Sequence, residues 1–178
     1  MNIKNNKKAQ ESIKKIKTTL TTLLKDYNIN DIKIKFLCET AKVNRTTFYS
    51  HFDTVEDVLY KICEEYIKQV YQIFLNVDAE YKDRLKQGLI IIKNNIEKFK
   101  YFFTHVHDIE KRIIDIIEED LKDSGVYNEK YKLALAFRIS GLVGLGKTYL
   151  NDIESSSTSK LSIDELTNLI YSIFNTTT

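Results

Sequence analysis

Residues 32–59 read IKIKFLCETAKVNRTTFYSHFDTVEDVL. Ile34, Leu37, Cys38 and Ala41 recur at helical spacing, so a short helix is expected over about 33–40. Asn44 is a residue type that caps helix starts, and a second short helix is expected from it to about His51. Two short helices around a tight break at 42–44 make a helix-turn-helix. In the second helix Phe48 and Phe52 stand four apart and point inward together. That turns Thr46 and Ser50 outward, with Thr47 and Tyr49 on the flanks and Arg45 leading. Such a face of small, hydroxyl-bearing side chains enters a DNA major groove closely. Arg45 alone on it has the geometry for a bidentate pair with guanine, while Thr46 suits a base edge or a thymine methyl. Lys33, Lys35, Thr47, Tyr49 and His51 suit phosphates, which position a protein without reading sequence. A solvated helical hairpin inside a larger bundle has the same periodicity, so spacing alone leaves both readings open.

The rest of the chain is equally helical in pattern. It has 178 residues, no proline and five glycines, so the usual helix breakers are nearly absent. Residues 1–55 hold eleven Lys+Arg against five Asp+Glu, and residues 56–178 hold sixteen against twenty, so a basic head precedes an acidic body. The longest apolar run, Leu133 to Phe137, is too short for a membrane span or a signal-peptide core, and a cytoplasmic protein is expected. Cys38 and Cys63 are too few for a zinc site or a disulfide framework.

Before the quoted stretch, Ala9, Ile13, Ile16, Leu20, Leu23, Leu24 and Tyr27 predict an amphipathic helix over about 8–27. After it, Thr54 to Asp57 is a helix-start signature, followed by apolar spacing from Val55 to Phe74. Further helices are expected at about 79–98, 99–106, 108–123 and 128–152, with Gly125 as a C-terminal cap and Ser155–Lys160 as a polar loop. Ser162 to Glu165 forms a capping box that opens a last helix. The fold class is therefore all-α, about nine helices, divided into residues 1–53 and 54–178.

Ile32, Ile34, Leu37, Ala41, Val43, Arg45, Thr47, Phe48, Tyr49, His51, Phe52 and Leu59 fall on the pattern I-T-V-x-x-I-a-x-x-A-G-V-S-x-x-T-F-Y-x-H-F-x-x-K-x-x-L. The stretch thus resembles the DNA-binding domain of the TetR (tetracycline repressor) family of bacterial transcription regulators. The resemblance implies a homodimer in which three N-terminal helices bind a palindromic DNA operator. A fourth links them to a body that binds a small-molecule effector and pairs across the dimer axis through its last two helices. Three positions depart from the pattern: Lys33 replaces a threonine cap, Lys42 replaces the turn glycine, and Val55 stands where many members have a phosphate-binding lysine. Lys42 must then take a conformation that glycine reaches at less cost, or the turn differs.

Two other patterns compete for a role. Gly141 to Thr148, GLVGLGKT, satisfies GxxxxGK(S/T), the phosphate loop of nucleotide hydrolases. That loop needs a buried strand before it and a parallel sheet around it, and no strand pattern is present. The alternative is packing: Ser140, Gly141 and Gly144 form a stripe of small side chains that admits a partner helix closely, as a dimer seam requires. Leu166 and Ile170 of the last helix are expected in the same seam. FRISGLVGLGKTYLND also resembles the C-terminal dimerisation helix of a TetR-like subgroup that includes regulators of dihydroxyacetone kinase genes.

The middle of the chain is aromatic. Tyr66, Tyr71, Phe74, Phe102, Phe103 and His105 are the candidates for an apolar effector pocket, although aromatics at this density also serve as plain core. His105 and His107, two apart, make a poor metal pair on a helix, and Glu118, Glu119, Asp120 and Asp123 read as a solvated face. No nucleophile-base-acid set is visible. Neither an enzyme activity, a cofactor, a metal nor a membrane partner is expected.

Overall fold

The computed structural model describes residues 3–75, 78–106, 108–122, 128–154 and 161–175. Among them are nine α-helices and no strand: α1 (Ile3–Leu23), α2 (Ile34–Ala41), α3 (Arg45–Tyr49), α4 (Val55–Leu75), α5 (Tyr81–Asn94), α6 (Ile96–His105), α7 (Ile109–Leu121), α8 (Glu129–Glu154) and α9 (Ile163–Asn175). A single 3₁₀ turn, Ile29–Asp31, lies between α1 and α2. The expected Gly125 cap and the Ser155–Lys160 loop lie outside the described residues.

The chain forms two compact units, Met1–Cys63 and Glu64–Thr178, which divide inside α4 rather than at its start. The physical reason is burial: Val55, Val58, Leu59 and Ile62, from the first two turns of α4, are all core residues of the first unit. α1 starts earlier than its pattern suggested and ends at Leu23, where turn-type hydrogen bonds from Leu24, Asp26 and Tyr27 take over. It packs on α2 and α3, with Ile16 and Leu20 wholly buried.

In the second unit α5 packs on α9, and α8 packs on α6 and α7. α5 and α6 are separated only by Asn95, whose non-helical φ of −125° and ψ of 29° break the helix that sequence spacing carried to residue 98. Asn95 is held on all sides. Its Nδ2 donates to Ile91 O at 2.9 Å, and its Oδ1 accepts from Tyr66 Oη and Lys98 Nζ, each at 3.0 Å. The capping box of α9 forms as its sequence predicts: Ser162 N–H donates to Glu165 Oε2 at 2.7 Å, and Glu165 N–H donates to Ser162 Oγ at 3.2 Å. The same reciprocal arrangement opens α4, where Asp57 Oδ2 accepts from Thr54 N–H at 2.8 Å and Thr54 Oγ1 accepts from Asp57 N–H at 3.1 Å.

Candidate nucleic-acid interface and apolar cavity

The helix-turn-helix is built on a left-handed residue. Lys42 has φ 54° and ψ 43°, the conformation glycine would take more cheaply. It is needed because α2 ends in a Schellman turn: Val43 N–H donates to Cys38 O at 3.0 Å and Lys42 N–H to Glu39 O at 3.2 Å. The next residues restart the helix. Asn44 is extended and its Oδ1 accepts from Thr46 N–H at 2.9 Å, fixing the first turn of α3. Lys33, at the start of α2, provides no such side-chain cap.

Phe48 faces inward and is fully buried, stacked at an angle on Phe52 with ring centroids 5.7 Å apart. With Phe48 as anchor, Arg45 and Thr46 are exposed and Tyr49 is 49% exposed on one face, while Thr47 and His51 are half-buried. Arg45 has no carboxylate partner among the described residues. Ser50 is exposed, but its hydroxyl donates to Thr47 O at 2.7 Å and is already satisfied. Lys33 Nζ reaches back to Asn30 O at 3.2 Å, and Lys35 stands 4.0 Å from Glu39, a pair too loose to hold it. Lys42, missed as a candidate, is exposed at the turn beside this face. Its signal in the sequence was the departure from glycine. Burial pushes the Cys38 thiol up, with the Arg45 charge opposing, so Cys38 is a neutral core group here.

The second unit forms an apolar cavity of about 270 Å³, open to solvent on one side, between α4, α5, α6, α7 and α8, with Phe174 of α9. Of the sequence candidates, Tyr71, Phe74 and Phe103 line it. Tyr66 and Phe102 do not. Tyr66 is held by Asn95 and Lys98 and packs against Phe99 and Phe102, and Phe102 is core. The His105 side chain and His107 lie outside the described residues. Residues that the sequence did not single out complete the wall, among them Ile67, Ile117, Tyr131, Arg138 and Ile139. Tyr71 Oη is buried with no hydrogen-bond partner among the described residues. Burial, and then the Asp120 carboxylate, push its pKa up. A cavity of about 120 Å³ adjoins, sharing Val70, Phe74, Ile92, Phe103 and Leu142.

α8 carries two apolar faces. Tyr131, Leu135, Arg138, Ile139 and Leu142 share the cavity side. Leu133, Phe137, Ser140, Gly141 and Gly144, each displaced by two positions and so on the opposite side, are exposed, Phe137 to 74%. A Cβ on Gly144 would meet nothing within 4 Å, whereas one on Gly146 would come within 3.1 Å of Phe103. The seam residues expected on α9 require correction. Leu166 and Ile170 are buried in the chain's own core with Leu85, and the exposed apolar residues of that helix are Leu169 and Ile173. Gly141 to Thr148 lies inside continuous α8, so its N–H groups are engaged in the helix and cannot cradle a phosphate. Lys147 instead pairs with Glu110 of α7 at 3.2 Å, and Thr148 Oγ1 donates to Gly144 O.

No protein-family model matches the chain. A curated helix-turn-helix-type transcriptional regulator of Bacillus subtilis, YxbF, is 27% identical over 116 residues, 60% of this chain. The match spans only 30% of that relative's length. Among solved structures, Lin0861 from Listeria innocua aligns over 100% of this chain and 96% of its own, with TM-score 0.72 and 20% identity. A TetR transcriptional regulator from Streptococcus agalactiae aligns over 95% and 96%, with TM-score 0.67 and 17% identity. The dihydroxyacetone kinase operon activator DhaS aligns over 93% and 94%, with TM-score 0.59 and 17% identity. Helix-turn-helix head and helical body together, the chain has the all-α fold of the TetR-family transcriptional regulators.

Proposed function

We propose that the protein is a cytoplasmic, DNA-binding transcription regulator that acts as a homodimer, a repressor released from its operator by a small apolar effector. The observation that carries the reading is the outward face of α3, with Arg45, Thr46 and Tyr49 exposed on a helix whose start is fixed by Asn44. Arg45 reads guanine, Thr46 a neighbouring base, and Tyr49, Thr47, His51, Lys33 and Lys35 hold phosphates. A two-fold dimer sets two such helices on half-sites about one helical turn apart, or a multiple of it, in a palindromic operator. The likeness to regulators of this fold supports the same reading.

The dimer seam we assign to the exposed face of α8, with Leu133, Phe137, Ser140, Gly141 and Gly144, together with Leu169 and Ile173 of α9. The open space at Gly144 permits close approach of a partner helix. The effector enters the cavity of the second unit. α4, which contributes Val58 to the first core and Ile67, Val70, Tyr71 and Phe74 to the cavity wall, carries the coupling. For that coupling the effector must bind the DNA-free state better than the DNA-bound state.

The test is retention of the chain's own promoter fragment on a gel. Arg45→Ala with Tyr49→Ala abolishes the shift while the circular dichroism spectrum is kept. A double variant that shifts the fragment as the wild type does removes the reading. Phe137→Glu converts the dimer to a monomer in sedimentation, and an unchanged sedimentation coefficient removes the seam. A promoter fusion reads the sign, with rising expression on deletion of the gene for a repressor.

A further inference from the structure

We propose that the cavity takes a compact apolar carboxylate, with its hydrocarbon or aryl body among the aliphatic and aromatic side chains and its carboxylate on Arg138. The proposal rests on reading the second unit as the effector-binding part of the molecule and names the chemical class that this site selects. The walls come first. Ile67, Val70, Ile117, Ile139, Phe99 and Phe103 give a polar body nothing to bond, so hydrating groups there would be lost without replacement. A cavity of about 150 Å³ holds benzene, so 270 Å³ corresponds to roughly ten to fifteen non-hydrogen atoms.

The charge comes from one position. Arg138 is the one charged side chain among the described lining residues, it is exposed to solvent, and no described carboxylate pairs with it. It also interrupts a pattern. Tyr131, Leu135, Ile139 and Leu142 of α8 share its face and continue the apolar wall, so a guanidinium replaces hydrocarbon where the cavity meets water. The planar fork of arginine matches a carboxylate bidentately, and its long stem covers apolar surface while the head stays hydrated. Tyr71, whose hydroxyl is buried in the wall, stays a neutral phenol because burial raises its pKa. Arg138 therefore supplies the selection by charge.

The experiment titrates the full chain by calorimetry with decanoate and hydrocinnamate, each against its primary amide, an isostere without the charge. Both acids are expected to bind at least about tenfold more tightly than their amides, the difference a charge-assisted bidentate pair supplies. Arg138→Gln, at an exposed site and checked for fold by circular dichroism, is expected to bring acid and amide within about twofold of one another. Equal affinity for acid and amide in the wild type overturns the proposal. So does a preference for acid that survives in Arg138→Gln, or failure of both acids to bind. The promoter-fragment shift is read in parallel, so the two readings fail separately. An acid that binds with the stated preference supports the ligand class whether or not it releases DNA, and only the effector role falls if the complex persists.

Discussion

Phe48 of α3 and Phe137 of α8 are the same side chain on two helices of different kind. Phe48 is 0% exposed and Phe137 74%. α3 has one inward anchor and one outward face, so a five-residue helix suffices to aim Arg45 and Thr46. α8 has apolar residues on opposite sides, one side closing a cavity and the other bare in the single chain. The helix-turn-helix is thus specified by local devices, a Schellman turn, an Asn cap and a capping box. The body is specified by which of two apolar faces each neighbour takes.

The sharpest way to break this contrast is to truncate both rings. Phe48→Ala removes a fully buried ring and is expected to cost about 3–5 kcal/mol of the first unit's stability in urea unfolding, with loss of DNA binding. Phe137→Ala, measured at concentrations low enough to keep the chain monomeric, is expected to change stability by less than about 0.5 kcal/mol. Comparable losses at both sites would mean that the outer face of α8 is not bare.

Asn44→Ala tests whether the head is set by its local devices. Loss of the bond to Thr46 N–H is expected to cost about 1 kcal/mol and to weaken promoter binding, because the first turn of α3 carries Arg45. Asn44→Ser should keep most of both. At the other end of the same turn the sign reverses. Lys42→Gly relieves a left-handed residue and is expected to raise the urea midpoint by the equivalent of about 0.5–1 kcal/mol, while Lys42→Val lowers it.

The smallest effect lies in the body, at Lys147 and Glu110. The Glu110 carboxyl is held below its ordinary value, first by its own backbone N–H and also by the Lys147 ammonium, with burial opposing. A depressed carboxylate contributes stability above its unfolded pKa and loses it as pH falls through the folded value. With both side chains more than a third solvated, the pair contributes below about 1 kcal/mol. Lys147→Ala should therefore flatten the acid limb of the stability profile slightly and leave ATP without effect on the melting temperature. A nucleotide-dependent shift abolished by the variant would restore the phosphate-loop reading.

How far the sequence could be read depended on the kind of signal. The start signals at Asn44, Thr54 and Ser162 were legible because each is completed by groups within three residues, and all three form the bonds their spacing implies. The left-handed Lys42 was legible as a missing glycine. The division of α9 was not. Leu166, Leu169, Ile170 and Ile173 make one apolar stripe by period, yet Leu166 and Ile170 turn to Leu85 while Leu169 and Ile173 remain outside. The cavity was half legible: Tyr71, Phe74 and Phe103 line it, but Tyr66 and Phe102 are used elsewhere.

By itself the sequence determined the all-helical class, the helix-turn-helix and the outward side chains of its second helix, since these follow from contacts between residues close in the chain. Only the tertiary structure decided which side of α8 lines the cavity, that Tyr66 belongs to a polar node with Asn95 and Lys98, and that Arg138 stands at a cavity wall. The physical reason is that apolar periodicity says a face is to be covered and does not say by what. The partners that cover these faces are separated in the chain by tens of residues, and packing alone selects them.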